Sequence, residues 1–112
     1  MRFLFSLFLS FFTVYTLSSH SSFAQEIDLD AGEQVFSQNC AGCHAGGNNS
    51  VNPLKSLKLD DLKKYEKSSI ETIQYQVENG FGLMPSFASR LSDEEILNVA
   101  HFVLSQAKNN TW

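Results

Sequence analysis

The residues best suited to chemistry in this sequence form one pentad, Cys40-Ala41-Gly42-Cys43-His44. Two thiols three residues apart can add to the two vinyl groups on one edge of a porphyrin, which places the next side chain under the iron. His44 supplies an imidazole there, a common proximal ligand of haem iron. The pentad therefore predicts one covalently bound c-type haem, attached through Cys40 and Cys43, with His44 as an axial ligand.

Three other chemistries compete for the cysteine pair. A thioredoxin-like dithiol follows a strand in a βαβ unit, and no strand pattern precedes Cys40. A structural zinc ion needs four ligands, and beyond the two cysteines residues 25–112 offer only His44 and His101, without zinc-finger spacing. A disulfide between Cys40 and Cys43 would close too short a loop to stabilise the fold much. Haem attachment is the interpretation we favour.

The second axial position of the iron separates an electron carrier from a reactive haem. Apart from Met1, the only methionine is Met84, which follows the segment Gly80-Phe81-Gly82-Leu83 and precedes Pro85. Glycine lets the backbone wrap closely around a flat cofactor, and a following proline keeps the preceding residue extended. We expect Met84 to be this ligand. The alternatives are Met84 as core filler, ligation by His101 and an open five-coordinate iron.

The first 24 residues differ in composition from the rest. Arg2 precedes an uncharged apolar stretch over residues 3–17, which is followed by polar residues and by the small residues Ser22 and Ala24. This order is typical of a secretory signal peptide, so we expect cleavage after Ala24 and one domain over residues 25–112. The alternative is an uncleaved anchor, although the stretch is shorter than the about 20 apolar residues that span a bilayer.

Length and charge exclude several classes of protein. A chain of 112 residues with a net charge of −4 has room for one small domain and lacks the basic face that nucleic acid requires. The mean hydropathy of −0.14 does not indicate a polytopic membrane protein. Because a domain as small as residues 25–112 buries little apolar surface, we expect a cofactor to complete its core.

The elements that must position the pentad and Met84 are all predicted to be helices, over residues 30–39, 60–67, 68 or 69 to 79, and 92–108. An apolar side chain recurs every three or four residues in the last of them, the strongest pattern in the chain. Three of the helices open with a capping residue and a partner: Asp30 with Glu33, Ser68 or Ser69 with Glu71, and Ser92 with Glu95. The third helix is predicted to end at Asn79-Gly80, since glycine tolerates the conformation past a helix end.

Together with the pentad, five further features make the sequence resemble cytochrome c6, a class I c-type cytochrome of thylakoid lumens. They are the opening 28–32, the turn 46–49, the segment 76–87 with its Met84-Pro85 pair, the segment 90–94, and the ending 103–107 with Trp112. The resemblance covers nearly all of residues 25–112. It implies an all-α class I cytochrome c fold, with about four helices around one covalently bound haem c.

The resemblance also implies roles for individual residues. Cys40 and Cys43 would carry the thioethers, with His44 and Met84 as axial iron ligands. Gln76 would lie near the haem and Asn49 would help to fix the loop on its side. Gly32 and Phe36 would cross the last helix at Val99 and Phe102. Phe81 departs from the family pattern, in which we expect a small or polar residue at that position.

The function implied by the resemblance is one-electron transport rather than enzymatic catalysis. A soluble, monomeric carrier would take electrons from cytochrome f of the cytochrome b6f complex and deliver them to photosystem I. It would work in the thylakoid lumen of an algal plastid or a cyanobacterium, without stable membrane insertion after cleavage. The alternatives are a bacterial periplasmic class I cytochrome that donates to a terminal oxidase, and a small haem peroxidase.

Charge adds a hypothesis about docking. Residues 55–67 hold five lysines and three acidic residues, while acidic residues dominate elsewhere. The lysines form either a solvated face or part of a docking surface. The overall acidity should steer the protein toward basic partner surfaces in a short-lived encounter.

Overall fold

Helices account for all the regular secondary structure in the computed structural model, which describes residues 26–112, apart from a single bridge between Phe81 and Met84. The predicted signal peptide lies outside this range. The helices are α1 (Leu29–Asn39), α2 (Ala41–His44), a 3-10 turn (Ala45–Gly47), α3 (Leu59–Lys64), α4 (Ile70–Asn79) and α5 (Asp93–Asn109). The all-α prediction is confirmed. None of the helices in residues 26–112 is both long enough and apolar enough to cross a membrane.

The first helix begins earlier than predicted. Asp28, not Asp30, is its N-cap, because Asp28 has the extended backbone that a cap requires and its carboxylate accepts a hydrogen bond from the Ala31 N–H at 3.0 Å. The Asp28 N–H donates to Asn98 Oδ1 at 3.1 Å, which ties the start of α1 to α5. Asp30 lies in the first turn of α1, where its negative charge interacts favourably with the positive end of the helix dipole.

The other helix boundaries agree in part with the prediction. Ser69 caps α4 as one of the two predicted residues, but its capping-box partner is Thr72, which lies three residues on, rather than Glu71. The Ser92–Glu95 box of α5 is confirmed. The predicted helix over 60–67 is shorter, ending at Lys64, since the chain turns at Glu66 with a φ of 57°.

The core lies where α1 crosses α5, and α4 also packs against α5. Gly32 permits the crossing: a Cβ there would lie 2.3 Å from the Asn98 carbonyl oxygen and 2.9 Å from Phe102 Cβ. The Phe36 and Phe102 rings pack with their centroids 5.5 Å apart. The most deeply buried side chains belong to α5: Ile96, Val99 and Ala100. On one side of this core, side chains of α1, α4 and α5 face a cavity that the pentad and the Met84 loop also line.

Candidate haem site

A cavity of about 570 Å³ lies between the helices and the loops that follow α2 and α4. Its inner wall is apolar, with side chains from α1, α4 and α5: Phe36, Ile73, Val77, Val99 and Val103. The two predicted attachment cysteines, Cys40 and Cys43, and the two predicted iron ligands, His44 and Met84, all line this cavity. An apolar space of this size, with two thiols, an imidazole and a thioether on its walls, fits a haem.

The two cysteines are set by one helical turn. The Cys43 and His44 N–H groups both donate to the Cys40 carbonyl, at 3.2 and 2.9 Å. Cys40 is half-buried, and burial raises the pKa of its thiol to about 11, whereas Cys43 is exposed. Thiol–disulfide exchange needs a thiolate and therefore a lowered thiol pKa. The raised pKa of Cys40 argues against the dithiol interpretation of this pair.

His44 is oriented by a backbone carbonyl. Its Nδ1 lies 2.9 Å from the Asn48 carbonyl oxygen. With the proton on Nδ1, the ring donates to Asn48 and leaves the lone pair of Nε2 free for a metal. The chain returns to this carbonyl through Gly46 and Gly47, which have φ angles of 65° and 73°. Sequence reasoning missed Asn48, because a backbone acceptor has no side-chain signature, although the Gly-Gly pair was a signal of the turn.

Asn49 organises the loop beside His44. Its side-chain amide donates to the Lys55 carbonyl at 2.9 Å, while its Oδ1 accepts from the N–H groups of Val51 and Asn52 at 3.1 and 3.0 Å. These hydrogen bonds shape residues 49–55 into one wall of the cavity.

Met84 closes a tight turn on the opposite side. The Phe81 and Met84 backbones exchange two hydrogen bonds, both 3.0 Å long. Gly80 lies against this turn at a φ of 68°, where a Cβ would come within 2.4 Å of the Met84 carbonyl oxygen. The Gln76 side-chain amide, one turn from the end of α4, lies 3.7 Å from Met84 Sδ. Gln76 and Met84 therefore lie side by side in the wall of the cavity.

Other metal chemistries find less support. His101 lies half-buried on α5, and it is not one of the residues that line the cavity. Within residues 26–112, no group of three or more histidine, cysteine or acidic side chains is arranged to hold a metal ion. These observations disfavour both a structural zinc site and ligation of the haem iron by His101.

Trp112 supports the His44 side from behind and has no counterpart among the predicted site residues. Its indole lies against Gly47, where a Cβ would be 2.5 Å from Trp112 Cγ. The same ring packs on Phe36 and Phe102, with centroids 5.5 and 6.2 Å away. A terminal tryptophan carries no local signal for such a contact, because the residues it touches lie far away in sequence.

Known proteins match most of this chain, including the residues that line the cavity. Residues 27–103 match the family described as cytochrome c oxidase, cbb3-type, subunit III. The chain is 54% identical over 92 residues to cytochrome c6 of Picosynechococcus, a match that covers 76% of this chain and 79% of that protein. It is 49% identical to cytochrome c6 of the alga Gracilaria tenuistipitata, over 97% of this chain and 98% of the relative.

A solved structure is similar as well. The crystal structure of cytochrome c6 from the diatom Phaeodactylum tricornutum superposes with a TM-score of 0.73 at 47% identity. The superposition covers 76% of this chain and 99% of the diatom protein. The family match over residues 27–103 spans both sides of the cavity, from the start of α1 into α5.

Proposed function

This chain belongs to the cytochrome c6 family, whose members transfer electrons and are not enzymes, and on that premise we propose that it carries single electrons from cytochrome f to photosystem I. Membership implies a covalently bound haem c. The observation that carries the proposal is the meeting of Cys40, Cys43, His44 and Met84 in one apolar cavity.

Each chain has one pair of thiols to hold one haem. Cys40 and Cys43 would hold the group through two thioether bonds. Each bond would form by addition of S–H across a vinyl double bond, with sulfur on one carbon and the thiol hydrogen on the other, so no oxidant or reductant would be needed. When bound, the group supplies an iron that changes between ferric and ferrous states by one electron.

Two protein side chains would hold the iron of this group. His44, oriented through the Asn48 carbonyl, would offer Nε2, and Met84, held by the Phe81–Met84 turn, would offer its sulfur. With both groups bound, the protein would exclude substrates from the iron and would rearrange little on the gain or loss of an electron. A thioether ligand favours the ferrous state and raises the potential, as a carrier requires. Gln76 and Asn49 complete this environment from the two sides.

The mouth of the cavity offers a docking surface. The exposed side chains of Val51, Phe81 and Leu83 line the cavity, so a partner that contacts them comes close to the haem edge. Apolar contact of this kind suits a short-lived complex. Without Arg2, residues 25–112 hold 7 basic and 12 acidic residues, and this net charge of −5 steers the encounter toward basic partner surfaces. Lys55 and Lys67, two of the five lysines of residues 55–67, line this cavity and make the local field less acidic.

Flash kinetics with isolated photosystem I particles test the function. The reduced protein should re-reduce the flash-oxidised reaction centre at a rate that changes with ionic strength, and the oxidised protein should accept electrons from cytochrome f. Failure with both partners, together with rapid oxidation by a terminal oxidase, would favour the periplasmic alternative instead.

We place the mature protein in the thylakoid lumen of an algal plastid or a cyanobacterium, after removal of residues 1–24. The algal and cyanobacterial origin of the relatives supports this location. Amino-terminal sequencing of the protein purified from its source should begin at Gln25. A protein that retains residues 3–17 would instead be anchored through them.

A further inference from the structure

One lysine side chain joins the two loops that border the cavity mouth. The Lys55 ammonium lies 5.2 Å from the centroid of the Tyr65 ring and 5.5 Å from that of the Phe81 ring. Both distances are within the range of a cation–π interaction. All three residues line the cavity. The charge thus sits between an aromatic ring that follows α3 and one in the Met84 turn.

Lys55 itself is fixed to the His44 side. Its N–H donates to the Asn52 carbonyl at 2.9 Å, and its carbonyl accepts from the Asn49 side chain at 2.9 Å. Two residues on, the Leu57 N–H donates to the Gly47 carbonyl at 2.8 Å, beside the turn that orients His44. The backbone that carries the ammonium therefore moves with the His44 side of the cavity.

Tyr65, which contacts the same Lys55 ammonium, is held in place by the end of α3. It is half-buried, and its N–H donates to the Asp61 carbonyl at 3.0 Å at the end of α3. The Asp61 carboxylate in turn accepts hydrogen bonds from the backbone N–H and hydroxyl of Ser56, the residue that follows Lys55. A second cation, the ammonium of Lys64, lies 5.4 Å from the Tyr65 ring.

Phe81 connects the Lys55 ammonium to Met84. Its ring is 75% exposed. Its backbone, however, is paired with that of Met84 by the two hydrogen bonds of the turn, so displacement of Phe81 displaces Met84. Gly82, at a φ of 58° with open space around it, gives the turn freedom to hinge unless its first residue is held.

We propose that Lys55 is a positioning residue that, by binding the Phe81 ring against Tyr65, clasps the Met84 turn to the His44 side and keeps the Met84 sulfur on the iron. This Lys55 clasp is a property of this chain, because it depends on an aromatic ring at position 81. It rests on the proposed ligation by Met84.

The rate at which imidazole replaces Met84 in the ferric holoprotein tests the clasp. At saturating imidazole, and at about pH 8 where the probe is mostly uncharged, the rate reports how often the sulfur leaves the iron. Loss of an exposed cation–π contact should speed this step about two- to fivefold in Lys55→Gln and in Phe81→Leu. The double variant should be no faster than either single one, because both remove the same contact.

Two matched variants separate the contact from its chemistry. Phe81→Tyr keeps an aromatic face and should retain the wild-type rate. Lys58→Gln removes the same charge from the same loop, but Lys58 makes no cation–π contact within residues 26–112, and it too should retain the wild-type rate. Equal rates for Lys55→Gln and Lys58→Gln, or strictly multiplicative effects in the double variant, would overturn the clasp.

The clasp and the ligation can fail separately. A wild-type protein whose Met-to-iron charge-transfer band is present, but whose imidazole rate is unaffected by Lys55→Gln and Phe81→Leu, has the ligand and lacks the clasp. A wild-type protein without that band contradicts the ligation by Met84, and the clasp with it.

Discussion

The two sides of the cavity are built by different means. On the His44 side, a helical turn, the Gly46-Gly47 turn and the Trp112 ring fix the ligand against the crossing of α1 and α5. On the Met84 side, the proposed ligand lies at the end of a four-residue turn, in which Phe81 and Leu83 are 75% and 81% exposed. One proposed ligand therefore belongs to the helical scaffold and the other to a loop.

We expect this difference to separate two properties: attachment of the haem, and the reduction potential of its iron. Damage to the His44 side should weaken the whole domain, because the same contacts form the core. Damage to the Met84 side should leave the haem attached and the helices intact, while the sixth ligand is lost or loosened. The division suits a carrier whose haem must never leave but whose potential depends on one sulfur.

The largest effect is expected from Gly32→Ala, which strikes the scaffold. A Cβ at this position would lie 2.3 Å from the Asn98 carbonyl oxygen, so α1 and α5 must move apart. We expect a loss of about 3 kcal/mol in the free energy of unfolding, measured by denaturant titration of the holoprotein. Gln34→Ala, at an exposed position of the same helix, should change it by less than about 0.5 kcal/mol. Similar losses in both variants would contradict the close crossing.

A smaller and more local effect is expected from Gly80→Ala. The φ of 68° and ψ of −177° are nearly exclusive to glycine, and the new Cβ would lie 2.4 Å from the Met84 carbonyl oxygen. We expect a loss of about 2 kcal/mol and a weaker Met-to-iron band, with the helical circular dichroism preserved. Gly82→Ala shares a positive φ but meets open space, and it should cost about 1 kcal/mol with the band intact. If the Met-to-iron band were equally weakened in both variants, backbone strain at a positive φ would account for the effect, and the close contact with the Met84 carbonyl would not be needed.

The smallest effect concerns Asp61, which ties α3 to the loop at Lys55. Hydrogen bonds from the Ser56 hydroxyl and then its backbone N–H hold the pKa of Asp61 below its usual value, with help from Lys64 and Lys58. A lowered pKa in the folded state stabilises the protein at pH above the unfolded value, about 4, and this stability is lost as the pH falls through the folded pKa.

The variant Asp61→Asn should therefore have a slightly lower Tm than wild type at neutral pH, with the difference shrinking below about pH 4. Asp60→Asn removes the same charge from the adjacent exposed position and should alter Tm little at either pH. A constant Tm difference across this range would mean that Asp61 acts through packing alone.

Local signals explain what the sequence could predict. The Ser92–Glu95 box, the Asn79-Gly80 helix end and the Cys40–His44 pentad each depend on residues within a few positions of one another, and the structure retains all three. Asp28 was overlooked as the cap of α1 because Asp30 fits the same local pattern. In the structure the Asp28 N–H also donates to Asn98, 70 residues away, a contact that no local pattern indicates.

Contacts between distant segments could not be predicted in this way. Nothing near Trp112 in the sequence points to Gly47, and nothing near Lys55 points to the Phe81 ring. The unusual residue at position 81 was visible from the sequence, but its partner was not. Asn48, which contacts the His44 ring, and Lys55, the proposed positioning residue, are thus harder to find from the sequence than the proposed ligands themselves.

The absorption spectrum of the ferric protein, compared with that of Met84→Ala, tests the central claim most directly. Wild type should be low-spin with a Met-to-iron charge-transfer band. Met84→Ala should lose the band, bind cyanide readily and have a potential lower by on the order of a few tenths of a volt, within the roughly 0.8 V that axial ligands span. A high-spin wild-type spectrum with ready cyanide binding, or an unchanged potential in Met84→Ala, would contradict the assignment of His44 and Met84 as the two axial ligands of an electron carrier.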